Sequence, residues 1–394
     1  MTLPERGRRF RITGTVQGVG MRPFVWRAAR DCGVRGRVRN DTAGVTVEAF
    51  GTAAALDGLE ARLRRDVPPS ARILTFTVET IPAEAVDAFT IEESAGADLR
   101  RVSIPPDLTT CPACLREVAD PADRRFRYPF TNCTDCGPRF TIVRDVPYDR
   151  SATTMAGFRM CADCAREYRD PADRRFHAEP NACPACGPRV SLRDPGGASV
   201  ESPDPIAEAG RALAAGRVVA VKGIGGYHLA CDATSAEAVA TLRSRKRRDE
   251  KPLAVMVADL DEAARLAELD EAERALLASA ERPVVLLRRR EGAGLAPGIA
   301  PDAPTLGLLL PYAPLHHLLL AAAGRPLVMT SGNLSDEPIA FRDEDALRRL
   351  GGIADLFLVH DREIEARADD SVARVVAGRP LVLRRARGFV PRSV

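Results

Sequence analysis

The amino-acid sequence predicts an α/β protein of several domains, in which a small zinc-ribbon module separates two α/β segments. With 394 residues the chain is long enough to bury two or three hydrophobic cores. Polar stretches that carry proline or glycine, at 93–110 and 194–205, mark the boundaries between segments. We therefore predict a first domain at 1–95, a cysteine-rich module at 104–193 and a last domain at 200–394.

The first segment has the pattern of a ferredoxin-like α/β sandwich. "RFRITGTV" alternates apolar and polar residues as a strand does, and Pro23 stands where the first turn of a helix tolerates proline. Two strand-like runs flank a turn at 40–44, as in a hairpin, and a helical run followed by "RILTFTVETI" completes the segment. The resulting order of strand, helix, strand, strand, helix, strand is that of the ferredoxin-like fold.

The last segment alternates strands with helices, which predicts a mixed α/β domain with a sizeable sheet. Short runs rich in β-branched residues, such as "RVVAVKG" and "PVVLLR", predict the strands. The run Thr234-Ser235-Ala236-Glu237 has the sequence of a capping box, which predicts the start of a helix there.

The middle segment contains two cysteine motifs of identical spacing, each with the form C-x2-C-x18-C-x2-C. Two CxxC knuckles at this separation are typical of a zinc site, because each knuckle supplies two thiolates to one tetrahedron. The predicted ligands are Cys111, Cys114, Cys133, Cys136, Cys161, Cys164, Cys183 and Cys186. Eight thiolates fill two tetrahedra and leave no position for a catalytic water, so we predict two structural zinc ions.

The spacing favours pairing of the knuckles within each motif, although crossed pairing is an alternative. His177 is a further candidate ligand. Cys32 and Cys231 lie outside the pattern, and we expect them to be buried small residues rather than nucleophiles. A redox role for the CxxC pairs is disfavoured by their fourfold repetition.

A glycine-rich turn joins the first predicted strand to the first helix in "ITGTVQGVGMRPF". Such a turn exposes consecutive backbone N–H groups, and the helix N-terminus adds positive potential, so the turn suits a phosphate group. Arg22 stands at the start of the helix, where its guanidinium could bind phosphate in a bidentate manner. The alternative is an ordinary tight turn.

Lysine is confined to one window of the chain. Of 57 basic residues only Lys222, Lys246 and Lys251 are lysines, and all three fall within residues 222–251. A compact ammonium group suits contacts to polyphosphate, which would explain why arginine does not replace it here. The alternative is a solvated basic helix end that the helix dipole favours.

Composition excludes several classes of function. The net charge of +3 and the aromatic content of 5% argue against a nucleic-acid-binding protein. The apolar runs are too short to span a bilayer, and the start of the chain has no apolar export signal. We therefore expect no membrane partner and a cytoplasmic location.

"TVQGVGMR" and "GRVRNDTAGVTVEAFG" resemble the two signatures of the acylphosphatase family. The resemblance implies that Arg22 binds the phosphate of an acyl phosphate and that Asn40 orients the attacking water. Such chemistry needs mainly positioning and charge neutralisation, since the leaving group is good. The amide cradle implied by the resemblance consists of Gln17, Gly18, Val19, Gly20 and Met21.

The lysine window, together with "MTSGNLSDEPI", "HDREIEARADDSV" and "LRRARGFVP", resembles the ATP-binding domain of the YrdC-like family. The resemblance implies that ATP, with Mg, is a substrate and that Lys246, Arg248 and Lys251 contact its triphosphate. It places Ser331 and Asn333 beside the nucleotide. Lys222 and Tyr227 would line the same pocket.

The order of the three modules resembles the HypF family of carbamoyltransferases, which serve the maturation of [NiFe] hydrogenases. The resemblance implies that carbamoyl phosphate is hydrolysed to carbamate, which then attacks the α-phosphate of ATP to give carbamoyl adenylate. The carbamoyl group would pass to the C-terminal cysteine of the partner HypE and become a cyanide ligand. Family members continue into a further domain that performs this transfer, so we expect the chain to be a fragment, a truncated gene product or half of a split system.

Two other functions fit parts of the sequence. The last segment alone would suit synthesis of threonylcarbamoyl adenylate for tRNA modification, although this activity does not need the other two modules. A zinc-ribbon protein that binds RNA through its basic "DPADRRF" repeats is the second alternative.

Overall fold

The computed structural model describes residues 6–68, 70–94, 104–248, 250–334 and 337–392. The chain packs into two compact units. The first unit lies within residues 1–106, 132–186 and 391–394, and the second consists of residues 107–131 and 187–390.

Strands and helices alternate along most of the described chain. The strands are β1 Arg6–Thr15, β2 Arg35–Asn40, β3 Val45–Gly51, β4 Arg72–Ile81, β5 Phe89–Ile91, β6 Val190–Arg193, β7 Ser199–Val200, β8 Val219–Lys222, β9 Tyr227–Asp232, β10 Val255–Met256, β11 Val284–Arg288, β12 Thr305–Leu309, β13 Leu327–Ser331, β14 Leu356–His360, β15 Val372–Val376 and β16 Arg379–Arg384. The α-helices are α1 Met21–Asp31, α2 Ala53–Arg65, α3 Pro112–Ala119, α4 Ala162–Arg169, α5 Pro205–Ala214, α6 Ala236–Lys246, α7 Leu260–Leu266, α8 Glu271–Leu277, α9 Pro314–Ala323 and α10 Asp343–Leu350.

The first unit contains a five-stranded sheet with the order β4-β1-β3-β2-β5. β1 pairs antiparallel with both β3 and β4, and the short β5 adds a parallel edge to β2. Alternate residues of β1, Phe10 and Ile12, are fully buried, as the sequence alternation predicts. They join the core that includes Val25 of α1 and Leu59 of α2, so the ferredoxin-like prediction is confirmed.

The turn between β2 and β3 is held by the Asp41 side chain. Its carboxylate accepts hydrogen bonds from the backbone N–H groups of Ala43 and Gly44, both at 2.8 Å. The hydroxyl of Thr46 donates to the other oxygen of Asp41 at 2.8 Å. These bonds fix the end of β2, where Asn40 lies.

The second unit is built on an eleven-stranded mixed sheet with the order β16-β15-β11-β12-β10-β13-β9-β8-β14-β6-β7. Successive residues of β9 enter different apolar clusters: Leu229 and Cys231 belong to one and Ala230 to the other. Since successive strand residues point to opposite faces, both faces of this sheet are buried. The predicted mixed α/β domain is therefore confirmed.

The predicted capping box at the start of α6 is wrong by one residue. Ser235 is the N-cap, and its side chain accepts a hydrogen bond from the N–H of Ala238 at 3.2 Å. Thr234 does not cap because its N–H and hydroxyl both donate to Asp232, at 2.8 and 2.6 Å. The nearby acidic side chain thus competes for the residue that the motif selects.

Within the described part of the chain, the helices are too short or too polar to cross a membrane.

Candidate functional site

The loop between β1 and α1 forms a small polar cavity in the first unit. Gly18 and Gly20 adopt left-handed conformations, with φ of 66° and 76°, that reverse the chain before the helix. No side chain caps the N-terminus of α1, so its first N–H groups face the loop without a side-chain acceptor. The cavity has a volume of about 10 Å³, and Gln17, Arg22 and Asn40 are among the residues that line it.

In the predicted amide cradle, some side chains pack in the hydrophobic core, while the loop itself lines the cavity. Val19 and Met21 are buried in the hydrophobic core of the unit. The amide of Gln17 donates to the carbonyl oxygens of Asp41 and Gly44, at 2.6 and 2.7 Å. Gln17 therefore ties the loop to the β2–β3 turn through its side chain.

Arg22 occupies the first turn of α1 and is only 6% exposed. Its Nη2 donates to Oε1 of Glu179 at 2.9 Å, and its Nη1 donates to Oδ1 of Asp149 at 3.2 Å. A guanidinium has five N–H donors, so these two bonds fix its plane while leaving donors for another ligand. Sequence reasoning missed both carboxylates.

The Glu179 carboxylate is itself held from several sides. Its Oε2 accepts from the backbone N–H of Arg150 and from the hydroxyl of Tyr168, both at 2.9 Å. Burial raises the pKa of the Glu179 carboxyl, and the Arg22 guanidinium opposes this shift. The carboxylate is thus a rigid and fully enclosed partner for Arg22.

Asn40 lies at the end of β2 and is 1% exposed. Among the described residues no hydrogen-bond donor contacts its Oδ1. A buried amide oxygen without a partner is energetically costly unless a ligand or water satisfies it. Asn40 therefore offers an acceptor to a molecule in the cavity.

His177 also lines the cavity, which sequence reasoning did not predict. Its backbone is in the left-handed region, with φ of 53°. Burial and, secondarily, the Arg22 charge lower the pKa of His177 to about 4, so the imidazole is neutral at neutral pH.

The second cysteine motif forms a compact group within the first unit. The sulfur atoms of Cys161, Cys164, Cys183 and Cys186 lie within 4.8 Å of one another, and His177 is not a member of the group. The Sγ atoms of Cys164 and Cys186 are 3.6 Å apart, and those of Cys183 and Cys186 are 3.8 Å apart. Four Zn–S bonds of about 2.3 Å in a tetrahedron place sulfurs roughly 3.8 Å apart, so the group fits zinc.

This group also shows that the knuckles of the second motif pair with each other, as the sequence favoured. In the first unit, Sγ of Cys133 and Cys136 are 3.8 Å apart. In the second unit, Cys111 caps α3 by accepting from the N–H of Cys114.

The two cysteines outside the motifs are shielded to different degrees. Cys231 is fully buried, and burial raises the pKa of its thiol to about 12. Cys32 is half-buried beside the first core. The thiol of Cys231 is therefore protonated at neutral pH.

Lys246, at the end of α6, is completely buried. Its ammonium donates to the carbonyl oxygen of Ser331 and to Oδ1 of Asn333, both at 2.7 Å. The structure thus brings together three residues predicted to bind nucleotide. Burial, with a contribution from Arg248, lowers the pKa of Lys246 to about 7.

Arg248 and Ser331 line a cavity of about 450 Å³ in the second unit. Arg384, Asp369 and Asp370 line the same cavity. The Nη2 of Arg248 donates to the carbonyl oxygen of Pro252 at 2.8 Å, which holds the guanidinium at the rim. Lys251, the second residue of the described segment that begins at 250, is exposed.

Lys222 is not among the residues that line this cavity. It lines a separate cavity of about 470 Å³ together with Asp343 and Asp361. Its ammonium contacts Oδ1 of Asp343 at 2.6 Å, and the hydroxyl of Tyr227 donates to the same oxygen at 2.7 Å. Lys222 and Tyr227 are paired across β8 and β9, and Asp343 contacts both side chains.

A buried network of charged and polar side chains lies at the wall of the 450 Å³ cavity. The sequence motifs did not predict which residues of this network contact one another. Asp370 contacts Nε2 of His228 at 2.9 Å and accepts from Nε of Arg387 at 3.0 Å. Although burial opposes the effect, His228 and Arg387 hold the pKa of Asp370 far below its usual range. A charged group therefore borders the cavity on a rigid support.

Comparison with known families matches each part of the chain. The acylphosphatase family model matches residues 8–91, and the HypF finger model matches 110–143 and 160–193. The Sua5/YciO/YrdC family model, described as telomere recombination, matches residues 211–386. The fold and the sites therefore define a multidomain protein that joins an acylphosphatase module, paired HypF fingers and a YrdC-like module.

The chain belongs to the HypF carbamoyltransferase family. It is 52% identical to carbamoyltransferase HypF2 of Cupriavidus necator, over 100% of this chain and 52% of the relative. It is 50% identical to carbamoyltransferase HypF of Synechocystis, over 97% of this chain and 50% of the relative. The chain thus spans about half the length of the curated relatives it matches.

Solved structures agree with this assignment. A full-length HypF in a phosphate- and nucleotide-bound form superposes with a TM-score of 0.95 at 45% identity, over 99% of this chain and 51% of that protein. The HypF of T. kodakarensis superposes with a TM-score of 0.91 at 43% identity, over 98% of this chain and 50% of that protein.

Proposed function

We propose that the chain hydrolyses carbamoyl phosphate to carbamate in its first unit and converts carbamate to carbamoyl adenylate in its second. The observation that carries the proposal is that one small cavity is lined both by the buried Arg22 and by Asn40, whose Oδ1 has no hydrogen-bond partner among the described residues. A cation that is already oriented and an unsatisfied acceptor are the two groups that hydrolysis of an acyl phosphate requires.

In the first reaction, the remaining N–H donors of Arg22 and the backbone amides of Gly18, Val19, Gly20 and Met21 bind the phosphate. The Oδ1 of Asn40 accepts a hydrogen bond from a water molecule and orients it toward phosphorus. The water oxygen bonds to phosphorus and passes a proton to a phosphate oxygen, while the bond from phosphorus to the carbamoyl oxygen breaks and carbamate leaves. The negative charge that develops on the phosphate oxygens in the transition state is stabilised by these N–H donors, which are already oriented.

In the second reaction, the 450 Å³ cavity holds ATP, with Mg. Arg248 and Arg384 at the cavity and the exposed Lys251 supply the positive charge for the triphosphate. A carbamate oxygen attacks the α-phosphate and pyrophosphate leaves. Lys246 supports this site by holding the backbone of Ser331 and the side chain of Asn333.

The zinc ions have a structural role in this proposal. Four thiolates complete each tetrahedron, and the HypF finger model matches both motifs. The further steps of the family, transfer of the carbamoyl group to the cysteine of a HypE-type acceptor, are proposed for the whole protein, of which this chain represents about half the length.

The test is carbamoyl phosphate-dependent exchange of labelled pyrophosphate into ATP, measured together with phosphate release. We expect exchange with the wild type and its loss in both Arg22→Ala and Lys246→Ala. Adding carbamate directly should restore exchange in Arg22→Ala but not in Lys246→Ala, because only the first variant lacks the carbamate source. Arg11→Ala, which removes an exposed arginine of β1, is the matched control.

Phosphate release without any exchange would reduce the function to that of an acylphosphatase. Exchange that required L-threonine would instead favour threonylcarbamoyl-adenylate synthesis. Loss of exchange in Arg22→Ala that added carbamate did not restore would break the proposed link between the two reactions.

A further inference from the structure

Each cysteine motif contains, between its second and third cysteines, a repeat that is identical over seven residues and then diverges. "DPADRRF" occurs at 120–126 and again at 170–176. The next residue is Arg127 in the first repeat and His177 in the second, and both have left-handed backbones, with φ of 55° and 53°. The local fold is therefore shared, while the side chains at this position differ.

Among the described residues, only the second repeat is followed by a side chain that lines the small cavity beside Arg22. His177 lines it, together with Tyr148 from the segment between the repeats. Both residues lie in the same compact unit as the β1–α1 loop. By contrast, Arg127 is exposed and pairs with Asp204 at 2.7 Å in the other unit.

Tyr148 packs directly on the glycine loop. A Cβ atom added at Gly18 would lie 3.1 Å from the Tyr148 ring, and the backbone N–H of Tyr148 donates to Oε1 of Gln17 at 3.0 Å. Tyr148 is 2% exposed, and this bond ties its backbone to the loop. A buried aromatic side chain therefore lines the same cavity as Arg22 and Asn40.

His177 is fixed as well. Its ring contacts Phe176 and Tyr168, with centroid distances of 4.7 and 5.0 Å. Its Nδ1 is buried and has no hydrogen-bond partner among the described residues. A polar atom without a partner at this wall favours a substrate group that can hydrogen-bond, such as the amino group of a carbamoyl.

We propose that Tyr148 and His177 restrict the acyl group of the substrate to a small one that can form hydrogen bonds. This inference rests on the proposed hydrolysis at Arg22 and names the substrate class of that site. The cavity volume of about 10 Å³ is close to that of a single water molecule. A carbamoyl group needs a modest displacement of the wall, whereas an aromatic acyl group must displace the Tyr148 ring from the loop.

The test measures phosphate release by the full chain from carbamoyl, acetyl and benzoyl phosphate. We expect the wild type to prefer carbamoyl over benzoyl phosphate in kcat/KM by more than about tenfold, the scale at which a pocket rejects added bulk. Tyr148→Ala should reduce this ratio by about tenfold or more, mainly through faster hydrolysis of benzoyl phosphate. Tyr148→Phe, which keeps the ring, should leave the ratio unchanged.

His177→Asn tests the second residue, because asparagine tolerates the left-handed backbone while shortening the side chain. We expect it to reduce the preference for carbamoyl over acetyl phosphate. Arg127→Asn makes the same type of change at the matching position of the first repeat and should alter neither ratio. Should Tyr148→Ala fail to fold, Tyr148→Leu provides the measurement.

The possible failures are distinguishable. If the wild type hydrolyses none of the three compounds, or if Arg22→Ala hydrolyses them as well as the wild type does, both the proposed function and this inference are refuted. If hydrolysis depends on Arg22 but Tyr148→Ala and His177→Asn leave both ratios unchanged, the inference alone is overturned.

Discussion

Replacing Glu179 by glutamine should uncouple Arg22 from its fixed orientation without removing any volume from the site. The Glu179 carboxylate accepts from Arg22 on Oε1, and from Arg150 N–H and the Tyr168 hydroxyl on Oε2. A glutamine amide has only one acceptor oxygen. In either orientation its NH₂ group therefore faces a donor that the carboxylate satisfied.

The expected loss in kcat/KM follows from the hydrogen bond between Glu179 and Arg22 that the substitution weakens. A hydrogen bond between charged groups contributes about 1.5–3 kcal/mol, and breaking a fully buried pair costs about 3–5 kcal/mol. Since Asp149 still contacts Arg22 at 3.2 Å, we expect the lower range to apply. If this energy is expressed in the transition state, kcat/KM for carbamoyl phosphate falls by about 10- to 150-fold.

The assay is steady-state phosphate release from carbamoyl phosphate, with inhibition by inorganic phosphate measured in parallel. Glu84→Gln is the matched control, because Glu84 pairs with Arg37 on an exposed face of the same unit. An unchanged kcat/KM in folded Glu179→Gln would refute the positioning argument. Tighter phosphate inhibition with unchanged kcat would show instead that Glu179 competes with the substrate for Arg22.

Three further predictions concern the zinc content, the stability of the protein at acid pH and the cavity proposed to bind nucleotide. Cys183→Ser should lower the zinc content from two ions to one per chain, measured by atomic emission, and slow carbamoyl phosphate hydrolysis, because Glu179 and His177 precede that ligand in the same repeat. The pKa of Asp370 is lowered on folding, so the stabilisation that its carboxylate provides is present above its unfolded pKa of about 3.9 and is lost as the pH falls toward its folded pKa. In urea titrations, Asp370→Asn should therefore be less stable than the wild type by about 3–5 kcal/mol at pH 7, and the difference should be smaller at pH 3. Arg248→Ala should raise the KM for ATP in pyrophosphate exchange by about tenfold or more, with phosphate release unchanged.

Local sequence features predicted the elements of the fold well because their causes are local. The alternation of β1, the hairpin at 40–44 and the first turn of α1 depend on neighbouring residues, and the structure contains all three. The start of α6 was misplaced by one residue because Asp232, outside the four-residue motif, binds Thr234.

The parts of the sites that escaped prediction depend on long-range contacts. Glu179 is 157 residues from Arg22, and nothing near Arg22 indicates it. The lysine window drew attention to Lys246, but a count of charges could not show that protein oxygens surround its ammonium. The contact of Lys222 with Asp343, which is also distant in sequence, could not be predicted from the lysine window either.

One signal for Glu179 was nevertheless present in the sequence. At the position where the second repeat has Glu179, the first repeat has Pro129, which cannot offer a carboxylate. In the structure the Glu179 carboxylate contacts Arg22, and the proline at the matching position of the first repeat has no such group.

The contacts of Arg22 with Asp149 and Glu179 indicate how long a piece of chain the proposed hydrolytic site requires. Both carboxylates that hold Arg22, and both side chains that narrow the cavity, lie outside the predicted first domain at 1–95. A segment of 1–95 would contain Arg22 and Asn40 but would leave the guanidinium without its two fixed partners. A piece of chain with the complete site must extend at least to Glu179, and to Cys186 if it is to keep the cysteine group at 161–186. Zinc binding in the second motif and phosphate binding at Arg22 should therefore be lost together when that motif is unfolded.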